Sequence, residues 1–188
     1  MASKMALIII DMQNDFALPG APMCVAGAMA VLPNIKQVLA HFRKKSLPVF
    51  HVVREYRADG SDIEGTRLPG FLSKESYCVP DTKGCAIVQG LEPLPNEYRI
   101  VKNRFSAFMH TELDFMLRRL EIRDIAVCGI QYPNCIRASI FDGVSLGYNV
   151  TLIKDAAGAQ TEEIAQANIL DIANIGVRCV TTEEILAD

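Results

Sequence analysis

The sequence is bounded first by what it lacks. No run of Lys and Arg exceeds the three residues Arg43-Lys44-Lys45, and the formal net charge is -3. That leaves no basic stripe for nucleic acid or for an anionic membrane surface. The apolar runs are strand-sized, far short of the roughly 20 residues that span a bilayer. The cysteines at positions 24, 78, 85, 128, 135 and 179 include no CxxC pair. They read as free thiols, not as a disulfide framework or a dithiol redox motif. The histidines, His41, His51 and His110, form no HxH or HExxH pattern and no Cys/His cluster of zinc spacing. No metal and no cofactor is therefore expected. A strand-like run begins at Ala6, so no secretion signal is expected either, and the predicted location is cytoplasmic.

What remains has the composition of a globular protein, half hydrophobic and 22% charged. One domain spanning residues 1–188 is expected, without linker or internal repeat. Six apolar segments read as strands: 6–10, 49–53, 98–101, 125–130, 148–153 and 177–180. The first is aliphatic throughout, as in a strand covered on both faces. Amphipathic stretches at 27–45, 111–120, 133–146 and 161–175, and a short one from Thr182, read as helices. Thr161 followed by Glu162 and Glu163 has the chemistry of a helix cap. This alternation predicts an α/β fold, a three-layer α/β/α sandwich around a six-stranded, mainly parallel sheet of order 3-2-1-4-5-6. Residues 54–96, rich in Gly, Pro and charge, are too many for an idle connection and are expected to cover a site.

In open parallel sheets ligands bind beyond the carboxyl ends of the strands, where strand order reverses. Asp11, Lys102 and Cys135 all fall just past strand ends, and in the expected order Asp11 and Cys135 face each other across the crevice. Cys135 follows Pro133-Asn134, which suits the first turn of a helix. Free backbone N–H groups and the positive end of the macrodipole would favour a thiolate there. The plainer reading is a buried structural thiol.

Asp11-Met-Gln-Asn-Asp-Phe16 after an Ile-rich strand, Lys102 before Arg104-Phe-Ser-Ala-Phe108, and Gly129-Ile-Gln-Tyr-Pro-Asn-Cys-Ile136 together resemble the isochorismatase-like cysteine hydrolases. The match runs over nearly the whole chain in order and spacing. This family includes nicotinamidases, N-carbamoylsarcosine amidases, ureidoacrylate amidohydrolases and isochorismatase itself. The resemblance implies the fold described above and a catalytic triad of Asp11, Lys102 and Cys135. Asp11 would be the general base, Lys102 would stabilise the thiolate and the developing anion, and Cys135 would attack a carbonyl to give a thioester. It further implies an oxyanion hole from the backbone of Cys135 and Gln131, with a cis Ile130–Gln131 peptide. Two departures stand out. The Asp-x-His metal motif of nicotinamidases is missing after the second strand, where Val52-Val53-Arg54 is followed by Glu55-Tyr56-Arg57. Tyr132 also replaces the Thr that many relatives carry three residues before the cysteine.

Arg54, Arg57 and Arg104 are candidates to bind a substrate carboxylate; the competing reading pairs them with Asp59, Asp62 and Glu64. Phe16, Phe105, Phe108 and Tyr132 are candidates for an apolar wall around a small ligand, at least two of them being ordinary core under the plainer reading. Cys128 reads as inert packing, and His51 as a satisfied sheet histidine. The function expected is cysteine-dependent hydrolysis of a small amide or ureido C–N bond. The alternatives are a non-catalytic member of the fold that binds a metabolite or a partner, and a redox-active thiol protein. The expected partner is a small-molecule substrate, and the chain is expected to form a homo-oligomer.

Overall fold

The computed structural model describes residues 4–73 and 76–187. Its strands are β1 (Met5–Ile10), β2 (Val49–Arg54), β3 (Tyr98–Lys102), β4 (Asp124–Ile130), β5 (Asn149–Gly158) and β6 (Arg178–Val180). They form one sheet in the order β3-β2-β1-β4-β5-β6 with every strand pairing parallel, as the element order predicts.

Alternation along the strands sends side chains into two separate cores. Leu7 and Ile9 of β1 and Ala126, Cys128 and Ile130 of β4 pack against Leu32, Ile35, Val38, Leu39 and Phe42 of α2 (Ala28–Lys44) and Ile185 of α7 (Thr182–Ala187). On the opposite face, Ala6, Ile8 and Ile10 join Ile125 and Val127. They pack against Leu113 and Leu117 of α4 (Leu113–Arg119), Ile140 of α5 (Arg137–Ser145), and Ala165 and Ile172 of α6 (Glu162–Asn174). Because β1 is covered on both faces, its run of consecutive aliphatics needs no polar alternation. Thr161 caps α6, its hydroxyl accepting from the Ile164 N–H at 3.3 Å.

Two elements differ from expectation. The predicted helix at 133–146 is split: residues Tyr132–Ile136 form a π-helical turn, in which the Ile136 N–H donates to the Gln131 carbonyl at 3.2 Å, and α5 begins only at Arg137. β5 runs past Ile153 to Gly158, because a register shift lets Ala157 and Gly158 pair again with Gly129 and Ile130. The Lys154-Asp155 pair that breaks the apolar run is no loop. Asp155 Oδ1 accepts from the Thr182 N–H at 2.7 Å and its hydroxyl at 2.9 Å, docking α7.

The long excursion between β2 and β3 is fastened at several points. Gln13, fully buried, donates through Nε2 to the carbonyls of Arg54 (2.9 Å) and Cys85 (2.8 Å). Asn14 Nδ2 donates to the Lys83 carbonyl, and Asp15 Oδ2 accepts from the Cys78 N–H. The excursion also contains a short helix, α3 (Leu68–Ser73). At its far end Glu97 is gripped by Arg43, by His51 Nε2 at 2.8 Å and by the Leu94 N–H. Burial alone would raise that carboxyl, but these donors outweigh it and bring it down to about 2. His51 thus sits in the sheet with its ring satisfied.

Gly129 has a φ of +112°, and a Cβ there would lie 2.2 Å from the Ile10 carbonyl oxygen and 2.7 Å from its nitrogen. The glycine lets β4 close on β1 immediately before Asp11. Gly147, also at positive φ (+86°), has nothing within 4 Å of such a Cβ. Gly147→Ala should therefore carry only the left-handed backbone penalty, about 1–2 kcal/mol. Gly129→Ala adds a backbone collision and should cost about 4 kcal/mol or more, in the extreme range for single substitutions. Urea unfolding of both variants tests this; equal midpoints would contradict a close-approach role for Gly129.

Candidate active site

Four polar side chains converge at the carboxyl ends of adjacent strands. Asp11 directly follows β1, Arg54 ends β2, Lys102 ends β3, and Cys135 lies in the turn after β4. Asp11 adopts φ +53°, a left-handed conformation that Asp tolerates better than most residues. Its N–H still donates to the Val52 carbonyl at 2.8 Å. The Ile130–Gln131 peptide is cis. All four side chains are buried: Asp11 and Lys102 are each 2% exposed, Arg54 0% and Cys135 6%.

Lys102 Nζ donates to Asp11 Oδ2 at 2.8 Å and to the Arg104 carbonyl at 3.2 Å. Asp11 Oδ1 has no hydrogen-bond partner. Arg54 Nη2 lies 3.2 Å from Cys135 Sγ and 3.0 Å from the Arg104 carbonyl. Its Nη1 donates to Glu64 Oε1 at 2.9 Å and to the Tyr56 hydroxyl, which in turn donates to Glu64 Oε2 at 2.7 Å. Arg54 Nε, 4.0 Å from Asp11 Oδ2, is buried and unpartnered.

The resting thiol differs from the thiolate expected at a helix start. Burial pushes the Cys135 thiol up and the Asp11 carboxylate adds to this; Lys102 and Arg54 pull it down without reversing the balance. The dry surroundings, and after them the Asp11 carboxylate, thus favour the proton staying on sulfur. Other buried thiols are also raised. Burial pushes Cys128 well above the ordinary range and Cys85 up to about 11.

The cleft over the sulfur is lined by Asp11, Phe16, Val25, Arg54, Arg67, Phe105, Ile130, Gln131, Asn134 and Cys135. Of the expected ligand contacts, Phe16 and Phe105 line it and two others do not. Phe108 stacks on Tyr148 at 5.6 Å in the core. Tyr132 is fully buried, with its hydroxyl donating to the Lys154 carbonyl at 2.7 Å. Arg104 turns its guanidinium to the Asp62 and Asn103 carbonyls, so only its backbone oxygen serves the site. Arg54 forms the ion pair with Glu64 that competed with carboxylate binding, and it does so at the sulfur. Arg57 is exposed at the surface.

Sequence reasoning missed Arg67. Its guanidinium lies 5.6 Å from the Phe105 ring centre and 5.7 Å from that of Tyr77, with Glu64 no closer than 3.9 Å. The stretch Glu64 to Arg67 offered only an i,i+3 charge pair as signal. No metal fits the position of the missing Asp-x-His motif. Glu55 is paired with Arg99, Arg57 is a cation, and among the described residues no group of three His, Cys, Asp or Glu could hold an ion.

With this geometry in place, the comparisons with known proteins are direct. A model of the isochorismatase domain matches residues 5–184. A probable inactive nicotinamidase of Arabidopsis thaliana is 44% identical over 184 residues, 95% of this chain and 93% of the relative. A ureidoacrylate amidohydrolase of Caulobacter segnis is 28% identical over 179 residues, 86% of this chain and 75% of that one. The crystal structure of an isochorismatase family protein from Desulfovibrio vulgaris matches with a TM-score of 0.94 at 48% identity, covering 99% of this chain and 100% of the other. The chain belongs to the isochorismatase family, a family of hydrolases.

The site electrostatics carry a signed expectation. Asp11→Asn removes the charge that, after burial, helps to keep the proton on sulfur, while Lys102 and Arg54 still pull the thiol down. The pH midpoint for iodoacetamide labelling of Cys135 should fall by about one unit or more, and labelling near neutral pH should accelerate. Lys102→Met should move the midpoint upward. Peptide mass mapping across pH reads both; a midpoint unmoved by Asp11→Asn would mean that the carboxylate does not govern the thiol.

Proposed function

We propose that this protein is a cysteine-dependent amidohydrolase that cleaves a small amide or ureido C–N bond through a thioester. The observation that carries the reading is the unpartnered Asp11 Oδ1, buried beside a protonated thiol while Oδ2 is held by Lys102. An orphaned buried acceptor is costly, and here it is the atom left to receive the thiol proton.

The steps follow from that placement. Asp11 takes the proton from Cys135 as the sulfur attacks the substrate carbonyl, and the backbone N–H groups of Cys135 and Gln131 are the proposed donors to the oxyanion. The C–N bond breaks as Asp11 returns the proton to the leaving nitrogen. Asp11 then takes a proton from the water that adds to the thioester; as the C–S bond breaks the acid is released, and the proton passes from Asp11 back to the sulfur. Lys102 holds the carboxylate in place throughout and offsets its charge. No step needs a metal.

For substrate selection the available cation is Arg67. Arg54 and Arg104 are committed within the protein, whereas the Arg67 guanidinium makes no hydrogen bond among the described residues and borders the cleft. Asp11 with Lys102 and Arg54 with Glu64 offset one another, so the remaining local charge is positive and favours a substrate that carries a carboxylate. The Arabidopsis relative is named a probable inactive nicotinamidase, and a neutral nicotinamide is not the substrate proposed.

Ammonia release from a panel of amides and ureides tests the reading. Carboxylated members should be hydrolysed, and Arg67→Ala should raise KM for them by roughly tenfold with kcat little changed. Asp11→Asn should depress turnover by roughly 10²–10⁴-fold, as for a lost general base, and Cys135→Ser should remove most of it while the fold persists. Activity should survive exhaustive chelation. Saturable binding of one compound without turnover of any would instead establish a non-catalytic, metabolite-binding member of the fold.

A further inference from the structure

The three proposed catalytic residues leave one buried cation without a task. We propose that Arg54 is a fourth catalytic residue, the donor that holds the Cys135 sulfur whenever it carries negative charge, with Glu64 and Tyr56 as its positioning residues. This rests on Cys135 being the nucleophile proposed above.

Donor by donor, the guanidinium is arranged around the sulfur. Nη1 is taken by Glu64 and the Tyr56 hydroxyl, which fix the far side of the fork. Nη2 points back to the Arg104 carbonyl and Cys135 Sγ. A neutral thiol is a poor acceptor, so a fully buried arginine gains little from that contact in the resting molecule. Once the proton has moved to Asp11, the same 3.2 Å contact becomes a charge-assisted hydrogen bond to a thiolate, about twice as strong as a neutral one. One Nη2 N–H is satisfied by the Arg104 carbonyl, and it is the other that is left for the sulfur.

The sulfur is anionic twice in the proposed cycle: after its proton leaves for Asp11, and again when the C–S bond of the thioester breaks and the electron pair returns to sulfur. Lys102 is bonded to Asp11 Oδ2 and the Arg104 carbonyl, with no hydrogen bond to the sulfur, so the direct contact falls to Arg54. An arginine also keeps its proton in a dry site, where a lysine loses it readily. The charged groups around Cys135 are Asp11 just after β1, Arg54 from β2 and Lys102 from β3. Glu64 and Tyr56 stand behind Arg54, and Arg67 is on the cleft wall. Glu64 and Tyr56 belong to the excursion, so the order of that segment sets where the fork points.

The test is the pH profile of iodoacetamide labelling at Cys135, beside ammonia release. The double variant Arg54→Gln with Glu64→Gln removes both charges and leaves no unpaired buried ion. Its labelling midpoint should rise by about one pH unit, with labelling near neutral pH about tenfold slower, and kcat should fall with KM little changed. Arg54→Lys keeps the charge and most of the volume but cannot bridge sulfur, Glu64 and Tyr56 at once. It should show the same upward shift at reduced size, and it carries the test if the double variant does not fold. A parental labelling profile in either folded variant would overturn the role of Arg54, whatever the turnover. A shifted profile in a protein that releases no ammonia from any amide would uphold Arg54 as the thiolate donor and reject the amidohydrolase reading.

Discussion

The structure is organised around buried charge at the ends of three neighbouring strands. Placing an ion in the interior costs several kcal/mol even after relaxation, and its partner recovers that only with good geometry and further hydrogen bonds. Asp11, Lys102 and Arg54 are all within 2% of complete burial. Each therefore makes a demand on its surroundings, and much of the chain outside the sheet answers one of these demands. The Arg104 carbonyl accepts from both Lys102 and Arg54, which explains the turn taken directly after β3. Glu64 supplies the anion that Arg54 lacks. Even so, one donor and one acceptor remain unpaired, Arg54 Nε and Asp11 Oδ1. An arrangement selected for stability alone would replace such a cluster with packed aliphatics; its persistence at a strand-end crevice points to chemistry.

This dependence gives the Asp11-Met-Gln-Asn-Asp15 segment two tasks. Asp11 faces the thiol. Gln13, Asn14 and Asp15 instead bind the backbone of the excursion at Arg54, Cys85, Lys83 and Cys78. Gln13 also accepts from the Arg54 N–H at 2.7 Å through Oε1, so one side chain ties the end of β2 to the excursion that returns Glu64 to Arg54. Local sequence, loop anchoring and the position of the guanidinium are thus mechanically linked.

The sheet and its order were legible because the strands write themselves as short apolar runs alternating with helical stretches, with Asp11, Lys102 and Cys135 as the reactive residues at or beyond their carboxyl ends. The π-helical turn was not legible, since the apolar spacing from Ile136 to Leu146 fits a helix and says nothing of one widened turn before it. The extension of β5 was hidden by Lys154 and Asp155, whose polar character reads as a strand end until Asp155 is seen capping α7. Phe108 and Tyr132 were ambiguous between wall and core, because periodicity locates apolar residues without saying which interior they enter. Arg54 was ambiguous for a different reason. Its sequence neighbours Asp59, Asp62 and Glu64 identify an ion pair, yet only the three-dimensional register of β2 beside β1 brings that pair to the sulfur. Arg67 carried no pattern beyond its i,i+3 spacing from Glu64, because the rings it rests on, Tyr77 and Phe105, follow it at no regular spacing.

The cleft over Cys135 has an open volume of about 20 Å³, enough for about one water molecule. An amide of even a few heavy atoms needs several times that, so a substrate would extend outward from this space or displace part of its wall. The strand ends cannot yield: Asp11, Arg54 and Lys102 are held by sheet pairing and buried ion pairs, and Gly129 already lies against the β1 backbone. Asn134 and Gln131 belong to the turn that fixes Cys135. What remains is the outer side, where Phe105 is 36% exposed and Arg67 rests on aromatic rings without a hydrogen bond among the described residues. Movement of these two side chains would open the cleft without disturbing the charges beneath it. The excursion that carries Arg67 also carries Glu64 and Tyr56, so the outer wall of the cleft and the placement of the Arg54 fork depend on the same segment.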